Sequence, residues 1–300
     1  MNNIHLRWWG CGAFDVITND VNIAFDPYLF GENLERAEAV YDYIFISHEH
    51  FDHCHPQTLR KLCRGPRFKR LFVSPGCVYP HQPIGSYGDA AFERDLPITK
   101  HIDAEAVQIV YPKYRSQTLE LVGDRPGPGE LDLGQLEVEM IQSGESQRPD
   151  LATCGYFIRH KQLDVSFLHT GDLTQPYPSL ELLRDRVDFL IHMKMGLTEW
   201  MGKDVSAKLI DFIDLTRPRF LIPIHYRTDR VSDPIPHGHW PPDVTDSYAF
   251  IESIRRIVGS RTVVLPFTAG IEYELEMPAK KVLWKWNWRN TWTVPPWRES

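Results

Sequence analysis

Between residues 42 and 62 the chain reads DYIFISHEHFDHCHPQTLRKL. His48, His50, Asp52 and His53 form the pattern H-x-H-x-D-H directly after an apolar run. Imidazole and carboxylate groups bind divalent transition metals, and holding so many of them in one turn is costly unless something binds them. Residues two apart in an extended segment face the same way, so His48 and His50 address one metal. Asp52 and His53, in the turn that follows, swing toward a second.

The elements around this motif read as alternating strands and helices. IHLRWW, AFDVIT and VNIAFDPYLF are short runs rich in β-branched and aromatic residues, separated by the turns GCG and ND. YDYIFIS is apolar almost throughout and reads as a strand buried on both faces. PQTLRKLCR has helical spacing, with Pro56 in its first turn. RLFVS, LEVEMIQS, CGYFIRH, LDVSFLHTGD, VDFLIHM, RFLIPIHY, RTVVLPF and IEYELEM are further strands, with helices in DVSAKLIDFIDLTRP and DSYAFIESIRRIV. Residues 78–130 are rich in Pro, Gly and charge and read as an insertion or long loop. Strand clusters separated by a few helices imply two packed sheets with helices outside.

Placed in that order, these residues resemble the metallo-β-lactamase-fold superfamily. The opening LRWWGCGAFDVITNDVNIAFDPYL, the HTGD at 169–172 and the PRFLIPIHY at 218–226 are its landmarks. The nearest branch is that of the L-ascorbate-6-phosphate lactonases and N-acylphosphatidylethanolamine-hydrolysing phospholipases D. The resemblance implies an α/β fold, the four-layer αββα sandwich, spanning 1–280 as one domain. It implies that Asp172 bridges two metals and that His225 joins Asp52 and His53 at the second site. It also implies a further histidine before the bridging aspartate. Here the matching stretch MIQSGESQRPD has none, and Glu145 stands at or beside that place. A carboxylate there moves metal preference from zinc toward iron or manganese. The same arrangement is similar to the diiron oxygenase branch represented by the β-hydroxylase of chloramphenicol biosynthesis.

Other residues are candidates for substrate contact. His192 ends a strand and reaches substrate, supplies the missing imidazole, or sits behind the ligands with its ring satisfied by backbone. Tyr226 and Arg227 suit an anionic or carbonyl group, and His237 reaches from the same loop. His169, His55 and Cys54 read as structural. In the tail, residues 281–300, Trp284, Trp286 and Trp288 alternate on one strand face, packing on the body, at a subunit interface or on a membrane-surface or substrate platform.

Composition narrows the class. The chain has 300 residues, 42% hydrophobic and 24% charged, enough for a sizeable core. A formal net charge of −7 argues against a general nucleic-acid binder. No apolar run reaches the ~18 residues of a membrane span, and no signal pattern opens the chain. Its 5 cysteines, without a CxxC pair, fit a reduced, cytoplasmic protein. The leading expectation is a hydrolase with two divalent metal ions (Zn, Fe or Mn), attacking a phosphodiester, lactone or amide-type small molecule with metal-bound hydroxide. Asp52 and Asp172 would position the metals and assist proton transfer. The alternatives are a diiron oxygenase and a non-catalytic metal-bearing module.

Overall fold

The computed structural model describes residues 3–29, 34–35, 37–79, 97–116, 128–144, 151–192, 205–224, 247–267, 270–276 and 283–286. In chain order its strands are β1 (Asn3–Gly10), β2 (Ala13–Ile17), β3 (Asn22–Phe25), β4 (Tyr43–Ile46), β5 (Arg70–Val73), β6 (Val107–Ile109), β7 (Glu130–Asp132) and β8 (Leu136–Gln142). They continue as β9 (Cys154–His160), β10 (Val165–His169), β11 (Phe189–His192), β12 (Phe220–Pro223), β13 (Val263–Val264), β14 (Glu272–Glu276) and β15 (Leu283–Trp286). The helices that matter below are α1 (Pro56–Leu62), α2 (Val205–Thr216) and α3 (Ser247–Val258).

One sheet runs β15-β14-β1-β2-β3-β4-β5-β6, the other β13-β12-β11-β10-β9-β8-β7. Each is mixed. Short turns make β1, β2 and β3 antiparallel, whereas β3 to β6 are parallel. Likewise β7 to β10 are antiparallel and β10 to β13 parallel. Parallel neighbours need a crossover, and α1 lies between β4 and β5, α2 between β11 and β12. Among the described residues no helix is long and apolar enough to cross a membrane.

Side-chain alternation sorts these strands into two cores. Trp8, Phe14, Phe25, Phe45 and Phe72 join the cluster that contains Tyr156, Phe167 and the inner residues of the second sheet. Their neighbours Trp9, Ala13, Ala24, Ile44, Ile46, Leu71 and Val73 point the other way and pack with Leu59 and Leu62 of α1. Phe212 of α2 and Ile254 and Val258 of α3 are buried in the first cluster. These layers are the αββα sandwich expected from the sequence.

Within the stretch 78–130, the described residues supply the edge strand β6 and the buried Ile98 and Ile102. That part of the stretch therefore completes the first sheet. In the tail, β15 pairs antiparallel with β14, setting Trp284 opposite Leu275 and Trp286 opposite Tyr273; Trp288 lies outside the described residues.

Two bonds tie the sheets where β4 ends. The Tyr156 hydroxyl donates to the Ile46 carbonyl at 2.6 Å. The Cys154 amide donates to the Ser47 carbonyl at 2.9 Å. Because the Ser74 amide also reaches the Ile46 carbonyl, at 3.3 Å, removing the phenol leaves that acceptor satisfied. Tyr156→Phe should therefore cost about 1 kcal/mol in urea unfolding. Unchanged stability would contradict the tie.

Candidate metal centre

The H-x-H-x-D-H loop leaves β4 at the carboxyl end of its sheet, where α/β folds place their sites. His53 and Cys54 both donate their amides to the His50 carbonyl, at 3.0 and 2.7 Å, which folds the loop back on itself. From the other sheet, β10 ends at His169 and the chain turns through Thr170 and Gly171 to Asp172. Gly171 has φ +53, and a Cβ there would lie 2.7 Å from the Ser47 Cβ. The left-handed φ together with this close approach requires glycine, which lets the two loops meet.

At the meeting point, one ligating atom from each of His48, His53 and Asp172 lies within 4.8 Å of the others, all buried. His53 Nε2 is 3.0 Å from Asp172 Oδ1 and 3.7 Å from Asp52 Oδ2. His48 Nε2 is 3.8 Å from Asp172 Oδ2. The His48 ring centroid lies 4.4 Å from that of half-buried His50 and 4.1 Å from that of His53. Asp172 thus touches imidazoles from both halves of the motif.

Electrostatics separate the two buried imidazoles. Burial, reinforced by His53 and His50, drives the His48 pKa well below its ordinary value and keeps the ring neutral. Burial also opposes charge on His53, but Asp172, Asp52 and Asp26 outweigh it and hold that pKa well above the ordinary value. His48 Nε2 is buried and has no hydrogen-bond partner among the described residues. A buried ring nitrogen left empty beside a carboxylate is costly, and a cation between them removes the cost. The donor set of imidazole nitrogens and carboxylate oxygens fits a divalent transition metal.

The ligand loop is held from behind by two residues that the sequence reading passed over, Asp26 and Ser47. Asp26, at φ +42, follows β3. Its Oδ1 accepts the Ser47 amide at 2.6 Å, and its Oδ2 lies 2.8 Å from His53 Nδ1. The signal was present as the Asp-Pro step after an apolar strand, in AFDPYL. The turn GCG closes the other side: a Cβ on Gly12 would sit 2.7 Å from His53 Cε1.

The remaining histidines fall into place around this group. His169 Nε2 donates to the Gly12 carbonyl at 2.8 Å, its Nδ1 accepts from the Gly171 amide at 3.2 Å, and its ring stacks on Phe25. His55 caps α1, with Nδ1 2.7 Å from the Thr58 hydroxyl. His192, read as a substrate contact or missing ligand, lies with its ring stacked on Phe212 of α2 and Nδ1 2.8 Å from Thr170 Oγ1. It does not join the His48–His53–Asp172 group. Alternation explains this: Ile191 pairs with the inward His169, so the next residue faces the helix. Glu145, His225, Tyr226, Arg227 and His237 lie outside the described residues. Ile224, the last described residue before His225, donates its amide to the His192 carbonyl at 2.9 Å.

Burial, with His169 nearby, pushes the His192 pKa down to about 4. The unfolded chain takes up this proton near pH 6.5, the folded chain only near 4. Stability from this group is therefore full above pH 6.5 and is lost as pH falls toward 4, by about 3 kcal/mol in all. Urea unfolding in chelator at pH 7 and pH 4 should show His192→Gln losing less stability on acidification than wild type. Identical pH dependence would refute the assignment.

Comparison with known proteins identifies the family. A UPF0173 metal-dependent hydrolase of Pyrococcus furiosus is 24% identical over 286 residues, covering 91% of this chain and all (100%) of its own. A UPF0173 protein of Pyrococcus abyssi is 29% identical over 227 residues, covering 74% of this chain and 82% of its own. Among solved structures, Igni18, a metallo hydrolase from the archaeon Ignicoccus hospitalis, superposes with TM-score 0.59 at 17% identity, over 92% of this chain and 100% of that one. CmlA, a diiron beta-hydroxylase from Streptomyces venezuelae, does so with TM-score 0.55 at 16% identity, over 92% of this chain and 54% of that one. The model of the Beta-lactamase superfamily domain matches residues 5–225, and the chain belongs to that superfamily.

Proposed function

We propose that the protein is a dinuclear metal-dependent hydrolase acting on a phosphodiester, lactone or amide-type small molecule. The observation that carries this reading is the buried, unpartnered His48 Nε2 converging with His53 and Asp172. The name of the Pyrococcus furiosus relative, a metal-dependent hydrolase, supports it. In this reading His48, His50 and Glu145 would hold one ion and Asp52, His53 and His225 the other, with Asp172 contributing to both. Divalent metals bound there would supply Lewis acidity and lower the pKa of water. The chain supplies the rest: the Asp52 carboxylate, whose Oδ2 is 3.7 Å from His53 Nε2, would take up the proton that the attacking water gives up, and the buried loop restricts bulk water. His192 serves substrate binding only indirectly, through Thr170. Tyr226, Arg227 and His237 are the proposed contacts to the substrate's anionic or carbonyl group.

Gly144 supports Glu145 as a ligand. A Cβ at Gly144 would lie 2.0 Å from the Asp172 carbonyl oxygen, so the residue before Glu145 packs on the backbone of the proposed bridge. The same carboxylate favours the second reading, a diiron oxygenase, because it hardens the ligand set toward iron.

Two variants separate these readings. Asp172→Ala should lose both metals together with turnover of chromogenic phosphodiesters and lactones; full metal content would refute the bridging role. Glu145→His should shift the bound metal toward zinc. A hydrolase keeps turnover with zinc, whereas an oxygenase loses it because zinc has no redox chemistry. If wild type, Glu145→His and Glu145→Ala all carry the same metals in the same amounts, Glu145 is not a ligand.

A further inference from the structure

Ser47 precedes the ligand motif and is buried, with 0% exposure. Its hydroxyl donates to Asp26 Oδ2 at 2.6 Å, lies 2.9 Å from His48 Nδ1, and is 3.4 Å from His53 Nδ1. A hydroxyl has one proton and two lone pairs. The Asp26 carboxylate accepts and does not donate, so the hydroxyl proton goes to it. Toward His48 the oxygen is then left as an acceptor, and the proton of that bond sits on His48 Nδ1. The opposite nitrogen, Nε2, is the atom buried without a hydrogen-bond partner.

We propose that Ser47 is a positioning residue that relays the Asp26 carboxylate to His48, so that one carboxylate holds the Nδ1 proton of both His48 and His53. Both Nε2 atoms are thereby presented to the metal. His53 meets Asp26 directly, at 2.8 Å; His48 meets it through the hydroxyl. The relay has a competitor. Asp172 Oδ2 lies 3.8 Å from His48 Nε2 and, acting alone in the metal-free protein, would favour the proton on that nitrogen. The Ser47 bond is shorter and nearer, and it decides the tautomer. Partners that fix the tautomer of a metal-ligating histidine typically matter 10–100-fold in metal affinity, roughly.

The affinity part rests on His48 being a metal ligand; the tautomer part does not. Nitrogen-15 NMR of the metal-free full chain, in chelator at mildly alkaline pH, reads the tautomer of each histidine. Wild type should carry His48 with the proton on Nδ1. Ser47→Ala should move His48 toward the Nε2–H form while His53 keeps its Nδ1 proton. Zinc chloride titrated against a chromogenic chelator should then bind about 10-fold more weakly. Ser143→Ala removes a buried hydroxyl that donates to the Thr170 carbonyl, at 2.8 Å, and should leave the His48 tautomer unchanged. A wild-type His48 protonated on Nε2 overturns the relay even if Ser47→Ala fails to fold. So does a folded Ser47→Ala with wild-type tautomer and zinc affinity. A wild type that binds no zinc, manganese or ferrous iron yet carries the Nδ1 proton on His48 supports the relay and defeats the metal reading instead.

Discussion

The Asp26 carboxylate gathers donors from the loop it faces: the Ser47 amide, the Ser47 hydroxyl and His53 Nδ1. These bonds join the end of β3 to the loop after its parallel neighbour β4. The Asp26 amide in turn reaches the Phe45 carbonyl at 2.9 Å. Taking a carboxylate to zero exposure is expensive unless such donors replace its water. The positive φ at Asp26 is the backbone cost of aiming the side chain back at the loop. Without this carboxylate, neither His53 nor the start of the ligand loop has a fixed direction.

The second sheet matters because it delivers Asp172 to the same point. Tyr156 and Cys154 tie the sheets at Ile46 and Ser47, and Ser143 holds the Thr170 carbonyl from below. Gly171 and Gly12 leave room for Ser47 and His53 where any side chain would collide. The result is a buried pair of imidazoles facing a carboxylate, one ring kept neutral by burial and the other drawn toward charge by its acidic neighbours. A divalent cation satisfies both at once.

Much of this was legible in the sequence. His48, His50, Asp52 and His53 stood out because their spacing is local and follows an apolar strand. Asp172, 119 residues beyond His53, was reached only through the resemblance carried by HTGD. Asp26 and Ser47 were missed because their roles depend on β3 lying beside β4, a contact that periodicity does not encode. His192 is the opposite case. A histidine at a strand end is visible, but its face is set by register with β10, and register put it against α2. The strand β6 hid within 78–130 because three half-buried residues carry no alternation.

The central claim is that His48, His53 and Asp172 form part of a centre for divalent metal. Elemental mass spectrometry of the full chain, purified without added metal and without chelator, tests it most directly. The account predicts about two bound metal ions per chain, with zinc or manganese fitting hydrolysis and iron with a visible absorption band fitting oxygen chemistry. A folded chain that retains no metal, and takes up none when zinc, manganese or ferrous iron is supplied, would contradict it.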